Sequence, residues 1–347
     1  FHKIFTKVFT KQIILKLSVI ILNWNGKNLL ERFLPSVVSF SEGFDIYVVD
    51  NKSSDDSVNY IKENFPKIKL IELSKNYGYA LGYNIAVKKI TSDIYCFLNS
   101  DVRVTENWLN PIIEVFDNKP NVSIIQPKIL DEKKPKKFEY SGAAGGFIDQ
   151  LGYPYCRGRI FNTIENDNSQ YKNGEIFWGS GACLFVRSKL FDELKGFDKD
   201  FFAHMEEIDF CWRAYNKGHV AYYVDSSKVF HLGGQSLNST DSFKTFLNFR
   251  NNLLTITKNT NNNLFLTVLI RLVMDGLAGV KFILDGKPDH TLAVIKAHIS
   301  FYSMFKRAFK FRTENKIRVA YKSEFSIVFK YYILGIKHFI DLIKHKT

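Results

Sequence analysis

Long apolar runs are missing from this chain. The longest candidate, Leu264 to Leu284, is interrupted by three charged residues, whereas crossing a bilayer takes ~18 uninterrupted apolar residues. We also expect no secretory signal, because the apolar run Ile13 to Leu22 contains Lys16 and has no cleavage site of small residues. We therefore predict a cytoplasmic protein without a transmembrane helix.

Cysteine is also scarce. The four cysteines are far apart in the sequence, at Cys96, Cys156, Cys183 and Cys211. No pair has the spacing of a metal-binding or redox motif. This pattern indicates reduced thiols in a cytosolic protein, and it excludes a small disulfide-stapled domain.

Net charge is nearly absent from the first 243 residues, although the whole chain carries +13. Residues 244–347 hold 18 Lys and Arg against 6 Asp and Glu, leaving 30 of the 48 basic and 29 of the 35 acidic residues for the rest. A nucleic-acid binder would need its positive charge on a reading surface of the main domain. We therefore expect no nucleic acid as a partner, and an anionic membrane surface is the candidate partner of residues 244–347.

Strand and helix patterns alternate over the first 130 residues. This order predicts an α/β domain with a Rossmann-like, mostly parallel mixed sheet flanked by helices. Ligands of such sheets bind at the carboxyl ends of the strands. The predicted strands are 17–22, 45–50, 68–73, 94–99 and 122–129, and the predicted helices are 28–40, 55–65, 79–90 and 108–117.

The second half of the chain changes character twice. Residues 131–175 are rich in charge runs and glycine clusters, a composition that predicts a segment without regular secondary structure. Strand patterns return at 177–187 and at 219–234, where the strand ends in a glycine turn. From Phe243 onward the pattern predicts a helical extension rich in aromatic residues and lysine.

Acidic and amide side chains stand at the ends of two predicted strands. Asp50 ends one strand, where it can bind a nucleoside, and the free backbone N–H groups of the following helix suit phosphate. Asn99 and Asp101 end another strand and point to the same side. Hard divalent cations prefer carboxylate oxygens, so Asp101 is a candidate ligand. The alternative is that these residues only cap helices and turns.

The segment HMEEIDFCWR, residues 204–213, contains three acids among apolar residues. Burial raises the pKa of a carboxyl group toward that of a useful general base. Glu206 and Asp209 share a helix face, Glu207 points elsewhere, and Arg213 can pair with Asp209. The alternative is a solvated acidic turn, which the apolar flanks disfavour.

Two glycine-bearing segments complete the candidate site. Gly78 and Gly82 in KNYGYALGYNIA allow close backbone approach, although such glycines mainly mark turns. His231 in HLGGQS follows a strand, where a neutral imidazole can bind a metal ion. A structural histidine is the alternative.

Taken together and in order, these segments resemble the inverting GT-A glycosyltransferases of family 2, and within them the bacterial rhamnosyltransferase-like group. The resemblance covers about residues 17–237. The matching segments are SVIILNWNG, VVDNKSSDDS, NYGYALGYN, LNSDV, WGSGACLFVR, GFDKDFFAHMEEIDFCWR and VFHLGGQS.

The resemblance implies a division of the chain and a role for each candidate residue. Residues 1–16 form an N-terminal extension, 17–130 the nucleotide-sugar half, 131–243 the acceptor half and 244–347 the helical region. Mg²⁺ or Mn²⁺ would be held by Asp101 and His231, and the base would be Glu207, with Glu206 as its rival. The donor nucleotide would contact Asn23, Asp50, Asn51, Ser53, Asn76, Gly78, Asn84, Asn99 and Ser100, and the acceptor would contact Trp178, Gly179, Ser180 and Asp209.

The implied activity is inverting transfer of a sugar, such as rhamnose or another deoxysugar, from a dTDP- or UDP-sugar. The acceptor would be a hydroxyl of a glycan or lipid-linked glycan in cell-surface polysaccharide synthesis. Asn99 replaces the first Asp of the family's metal motif and Glu207 replaces an Asp, so a carbohydrate-binding pseudoenzyme is one alternative. A nucleotidyltransferase is another, although ILNWNGKNLLER lacks its glycine-rich basic loop.

The end of the chain predicts an amphipathic helix from Ser326 to Lys346. Lys330, Lys337, Asp341 and Lys344 would form one polar stripe on a helix. Such a helix suits the cytoplasmic face of an anionic membrane. Packing on its own domain, or on a second copy in a homodimer, is the alternative.

Overall fold

The computed structural model describes residues 15–233, 242–321 and 324–344, and a β-sheet runs through its centre. Most of the predicted extension at 1–16 and part of HLGGQS therefore lie outside the described residues. The strands are β1 (Leu17–Asn23), β2 (Asp45–Asp50), β3 (Lys69–Glu72), β4 (Ile94–Asn99), β5 (Val102–Val104), β6 (Val122–Asp131), β7 (Gly146–Ile148), β8 (Pro154–Cys156), β9 (Arg159–Ile160), β10 (Thr163–Ile164), β11 (Gly174–Ile176), β12 (Cys183–Arg187) and β13 (Val220–His231).

The main sheet has nine strands in the described residues and is mixed. Its order is β11-β13-β6-β12-β4-β1-β2-β3, with β5 paired to β13. The four strands from β4 to β3 are parallel, and their register places Asn23 opposite Asp50 and Leu22 opposite Asn99. The carboxyl ends of β1, β2 and β4 therefore meet at one edge, as the sequence predicted.

The other half of the sheet mixes both directions. Strand β12 runs antiparallel between β4 and β6, and β13 runs parallel to β6 with a bulge between Val224 and Lys228. The short strand β5 pairs antiparallel with β13, so Val102 lies opposite His231. This register brings the residue before Val102, which is Asp101, to the end of β13.

Residues 131–175 are more ordered than predicted. They contain a second, four-stranded sheet in the order β10-β9-β8-β7. Its strands are two or three residues long, too short for an alternating pattern to be visible in the sequence. Conversely, only Cys183–Arg187 of the predicted strand 177–187 is a strand, because residues 177–182 form a loop against the second sheet.

Helices cover both faces of the main sheet, and alternate residues of its strands face opposite layers. Ile20 packs in one apolar cluster, whereas Val19 and Ile21 pack in the other. All four cysteines are buried and free of disulfides. The helices are α1 (Lys27–Phe40), α2 (Ser57–Asn64), α3 (Gly78–Ala86), α4 (Asn110–Asn118), α5 (Ser188–Glu193), α6 (Glu206–Asn216), α7 (Ser242–Asn259), α8 (Leu264–Leu284), α9 (Pro288–Glu314), α10 (Ile327–Tyr332) and α11 (Phe339–Lys344).

The C-terminal extension is helical, as predicted, but its last part differs from the prediction. The prediction of a single helix from Ser326 to Lys346 is wrong, because α10 ends at Tyr332 and α11 begins only at Phe339. Gly335 in the connection has a φ of +70°. Ile336 and Phe339 are buried against the apolar core of the main domain. In the described ranges, no helix combines the length and apolar character needed to span a bilayer.

Candidate active site

The first part of the site lies at the ends of β1 and β2. Asn23 is fully buried, and its Nδ2 donates to Asp50 Oδ1 at 3.4 Å and to Ser53 Oγ at 3.2 Å. The backbone N–H of Ser53 donates to Asp50 Oδ2 at 3.0 Å. The Asn23 Oδ1 atom has no hydrogen-bond partner within the described ranges. The Asp50 carboxylate is thus held in place beside a buried acceptor atom that has no partner within the described ranges.

Asn51 and Asn76 build the neighbouring turn. Asn51 Nδ2 donates to Asn76 Oδ1 at 2.9 Å and to the Gly78 carbonyl at 3.2 Å, while its Oδ1 accepts from Tyr77 N–H at 2.9 Å. Gly78 has φ +72°, and a Cβ there would lie 2.6 Å from the Phe202 ring. These residues connect the end of β2 to the start of α3 and to the segment before α6.

The second part of the site is a chain of three buried polar side chains. His231 Nε2 lies 3.1 Å from Asp101 Oδ1, and His231 Nδ1 lies 3.2 Å from Glu139 Oε1. All three residues are 5% exposed. Burial lowers the pKa of His231, but the Glu139 and Asp101 carboxylates outweigh it and raise that pKa to about 10. Burial likewise opposes the charge of Asp101, and His231 lowers the pKa of Asp101 below its usual value.

The Asp101–His231 pair fits a divalent cation that is completed by substrate. Two ligands at right angles and about 2.1 Å from a Mg²⁺ ion lie about 3 Å apart, close to the observed separation. The described residues hold no group of three or more His, Cys, Asp or Glu arranged for a metal ion. Mg²⁺ commonly takes one or two carboxylates and completes its shell with phosphates and water. Asn99 and Ser100, both half-buried, lie just before this pair at the end of β4.

Glu139 was missed by the sequence reasoning, because it lies in the segment predicted to be irregular and matches no motif. Its Oε1 lies 3.2 Å from His231 Nδ1, and a carboxylate beside the second ring nitrogen typically orients a histidine that binds a metal ion. Sequence alone offers no signal for it, since the contact depends on how the segment before β7 folds over the end of β13.

Replacing Glu139 by Gln is expected to weaken Mn²⁺ binding by about 10–100-fold, because the histidine loses its orienting carboxylate. The measurement is a Mn²⁺ titration followed by electron paramagnetic resonance, with a nucleoside diphosphate present. Glu132→Gln is the matched control, since Glu132 pairs with Arg32 and Arg103 instead. Unchanged Mn²⁺ affinity in Glu139→Gln would remove Glu139 from this role.

The third part of the site is the start of α6. Three residues just before it have positive φ, with Phe202 at 61°, His204 at 67° and Met205 at 72°. Such backbone is costly for residues other than glycine and needs support from its surroundings. Asn251 on α7 provides support, because its Nδ2 lies 2.8–3.0 Å from the carbonyls of Phe201, Ala203 and His204.

This turn places Glu206 and Glu207 in the first turn of α6. Burial and the neighbouring Glu207 raise the pKa of Glu206 well above its usual value. Burial also raises the pKa of Glu207, partly offset by backbone N–H groups that include Gly181. One carboxylate oxygen of each residue is buried without a partner among the described residues. Glu207 is the one that faces the 178–181 loop.

That loop differs from expectation in one respect. The Trp178 ring is 2% exposed, packs on Gly146, and donates its indole N–H to the Phe147 carbonyl at 2.8 Å. It therefore does not present a face on which a sugar could stack. Ser180 is 1% exposed and its backbone N–H donates to Gln126 Oε1 at 2.9 Å. Gly179 packs against Leu184.

Asp209 is not part of the acceptor side. It is fully buried and lies 2.8 Å from each of three groups, namely Arg213 Nε, Lys258 Nζ and Asn259 Nδ2. Two residues along a helix correspond to about 200° of rotation, which turns Asp209 away from the side that Glu207 faces. Asp209 therefore ties α6 to α7.

Asn84 is also placed away from the other candidate donor contacts. Its Nδ2 donates to the Phe197 carbonyl at 2.7 Å, and its Oδ1 accepts from Phe197 N–H at 3.0 Å. It lines a cavity of about 610 Å³ between α3, the 191–201 segment, α7 and α9. Of the candidate donor and metal residues, Asn84 alone is among the residues that line this cavity.

The mixed sheet, with acids and amides at the ends of its parallel strands, has the GT-A fold of glycosyltransferases. The chain belongs to the family described as Glycosyl transferase family 2, whose model matches residues 18–195, just over half of the chain. It is a glycosyltransferase with a role in glycan synthesis. The nucleotidyltransferase alternative is therefore wrong.

Curated relatives with similar sequences include two rhamnosyltransferases. An N-acetylglucosaminyl-diphospho-decaprenol L-rhamnosyltransferase of Mycobacterium tuberculosis is 24% identical over 234 residues, 62% of this chain and 75% of the relative. Rhamnosyltransferase WbbL of Escherichia coli is 24% identical over 220 residues, 61% of this chain and 82% of the relative. The low-salt glycan biosynthesis hexosyltransferase Agl10 of Haloferax volcanii is 23% identical over 246 residues, 69% and 74% of the two chains.

Solved structures with a similar fold include GalNAc-T7 with UDP, GalNAc and Mn²⁺. It has a TM-score of 0.59 and 15% identity, and the match covers 95% of this chain and 58% of that chain. The mannosyltransferase PcManGT of Pyrobaculum calidifontis, in complex with GDP-Man and Mn²⁺, has a TM-score of 0.52 and 13% identity, with 87% and 85% covered. At these identities the likeness shows the fold.

Proposed function

We propose that this glycosyltransferase moves a sugar from a nucleoside diphosphate donor to a hydroxyl group of a glycan or lipid-linked glycan, with inversion at the anomeric carbon. The observation that carries this proposal is the arrangement of two polar centres. The Asp101–His231 pair lies at the strand ends, and Glu207 faces the 178–181 loop. The carbonyl of Ala182, next to Gly181, accepts from the Asn99 N–H at 3.0 Å, which connects this loop to the end of β4.

The donor half is built by the ends of β1, β2 and β4. The ordered Asp50 carboxylate is available to the base or ribose of the nucleoside, beside the unpartnered Asn23 Oδ1. A divalent cation, Mg²⁺ or Mn²⁺, held by Asp101 and His231 would neutralise charge on the leaving diphosphate. The two rhamnosyltransferases among the relatives favour a deoxysugar such as rhamnose. The proposed nucleotide of the donor is dTDP or UDP.

Glu207 is the proposed general base. It removes the proton of the acceptor hydroxyl while that oxygen bonds to the anomeric carbon. The bond from the anomeric carbon to the diphosphate oxygen breaks on the opposite face, and the proton remains on Glu207. The raised pKa of Glu207 suits this task, because a base works best when its pKa approaches the working pH.

The first test is thermal unfolding with dTDP, UDP, GDP and CMP, each with and without Mn²⁺. A nucleotide present at 100 times its Kd stabilises the folded state by about 2.7 kcal/mol, so we expect a Mn²⁺-dependent rise in melting temperature with dTDP or UDP. No rise with any nucleotide, together with stabilisation by free oligosaccharides, would instead favour the carbohydrate-binding pseudoenzyme.

A lipid-linked acceptor would place the reaction at a membrane. The relative from Mycobacterium tuberculosis is named for such a substrate, a decaprenol diphosphate. The basic region 244–347 carries the charge that suits the cytoplasmic leaflet. We therefore propose a cytoplasmic enzyme that works at the membrane surface.

A further inference from the structure

Helix α8 has its polar and apolar sides reversed relative to an ordinary surface helix. Its buried residues are mostly polar and include Thr267, Arg271 and Asp275. The outward side carries eight large apolar residues that are 47–80% exposed. These are Phe265, Leu266, Leu269, Val273, Leu277, Val280, Ile283 and Leu284. A surface helix in water normally turns its apolar side to the core.

The inward polar side is fully built into the protein. The Arg271 guanidinium lies 3.7 Å from the centre of the Tyr153 ring and donates to the Leu151 carbonyl at 2.9 Å. Asp275 lies 3.3 Å from Arg271 and 3.2 Å from His298 on α9. Rolling the helix to bury its apolar side would break these contacts and leave buried charges unpaired, which is strongly unfavourable. The outward orientation is therefore a property of the fold.

Helix α9 continues the apolar surface. Thr291 donates to the Gly279 carbonyl, and His298 contacts Asp275, so these residues mark the seam between α8 and α9. Ile295 lies four positions after Thr291, and Tyr302 lies four positions after His298, so each is a neighbour of a seam residue on the same side of the helix. Their side chains are 52% and 59% exposed. Leu292 and Ile299 extend the same stripe. We call this surface of both helices the α8–α9 face; α8 alone makes it about 30 Å long.

The charges around the α8–α9 face identify its partner. Exposed cations on the two helices and their connection include Lys287, Lys296 and Lys306, beside an exposed ion pair of Lys281 and Asp285. The surrounding region, residues 244–347, holds 18 Lys and Arg against 6 Asp and Glu. A second copy of the chain would bring the same cations to the interface, and like charges repel. An apolar stripe flanked by lysine matches an anionic lipid surface, in which a helix lies with its apolar side in the acyl boundary.

We propose that the α8–α9 face lies in the surface of an anionic membrane, parallel to it, and holds the enzyme there. This goes beyond the glycosyl transfer itself and does not depend on the donor or acceptor. It also replaces the predicted helix at 326–346 as the main contact.

The test is flotation of the purified full chain with vesicles of phosphatidylcholine alone and of phosphatidylcholine with one-fifth phosphatidylglycerol. We expect binding to the anionic vesicles and a loss of about tenfold or more in the double variant Leu269→Glu/Leu277→Glu, because two charges enter the acyl boundary. Phe40→Glu/Ile317→Glu is the matched control, since it removes two exposed apolar residues outside this face. Lys296→Gln/Lys306→Gln should reduce the preference for the anionic vesicles.

Three results would overturn the proposal. Wild-type chain that fails to float with either vesicle would exclude a membrane contact. Sedimentation showing a dimer that Leu269→Glu/Leu277→Glu converts to a monomer without lipid would identify a second copy as the partner. A large fall in melting temperature of this variant without lipid would mean that another segment of the chain covers the face. Nucleotide-induced stabilisation is a separate readout and should stay unchanged in the variant, so failure of the proposed function is distinguishable.

Discussion

Replacing Glu207 by Gln is expected to lower turnover by about 10²–10⁴-fold, the usual contribution of a general base. Glutamine keeps the size of the side chain and its contact with the Gly181 backbone but cannot take the acceptor proton. The proposed donor site lies at the ends of β1, β2 and β4, away from this carboxylate, so nucleotide-induced stabilisation should be unchanged. The measurement is sugar transfer to an acceptor under saturating donor, alongside thermal unfolding.

Glu206→Gln is the matched comparison, because the two residues are neighbours and one carboxylate oxygen of each is buried. If Glu207 is the base, Glu206→Gln should retain most of its turnover. A larger loss in Glu206→Gln than in Glu207→Gln would assign the base to Glu206. Near-normal turnover in both variants would show that neither Glu206 nor Glu207 is the base.

The pH dependence follows from the direction of the Glu207 shift. The base acts only when deprotonated, and burial raises its pKa above the usual value for Glu, which is about 4.3. Turnover should therefore fall as the pH drops through this raised pKa, at a higher pH than an exposed glutamate would give. The residual turnover of Glu207→Gln should not show this fall at low pH. If the same fall remains in that variant, the group that titrates is another residue.

Replacing Asp101 by Asn should abolish the Mn²⁺-dependent part of the nucleotide stabilisation and lower turnover by roughly 10²–10³-fold, the loss typical for one group that stabilises transition-state charge. The variant keeps the shape of the side chain and removes the charge that pairs with His231 and would hold the cation. The measurement is the melting temperature with dTDP or UDP, with and without Mn²⁺.

Asp131→Asn is the control for this variant. Asp131 ends β6 opposite His231 in the sheet, but its carboxylate accepts from the backbone N–H groups of Lys133 and Lys134. Its loss should leave the metal-dependent shift intact. Because the Asp101 carboxylate is buried against His231, the unfolding of Asp101→Asn without ligand must be measured as well. A metal-dependent shift that survives in a folded Asp101→Asn would place the cation elsewhere.

The position of the proposed site was predictable where its residues lie at strand ends. Asp50 and Asp101 stand directly after apolar strands, and parallel strands bring their ends to one edge. His231 was found for the same reason, since it ends a long strand. The fold class followed from the alternation of strands and helices, which local hydrophobic pattern alone encodes.

Other parts of the site were beyond the sequence. Glu139 is 92 positions from His231, and their contact arises only when the segment before β7 folds over β13. Trp178 was expected to face a sugar, but packing on Gly146 buries it. Asn251 supports the strained turn before α6 from a helix that follows it in the chain. Each of these contacts joins elements that lie far apart in sequence, for which no local pattern exists.

The sequence by itself determined the α/β sheet, the helical extension, the acids at the strand ends and the concentration of positive charge after residue 243. Those features depend on periodicity and composition, which are local. Only the tertiary structure decided which side of a helix packs against the rest of the protein. In α8 the buried pair of Arg271 and Asp275 is bound by Tyr153 and His298. The apolar side therefore faces outward, because rotating the helix to bury it would break these polar contacts and leave buried charges unpaired.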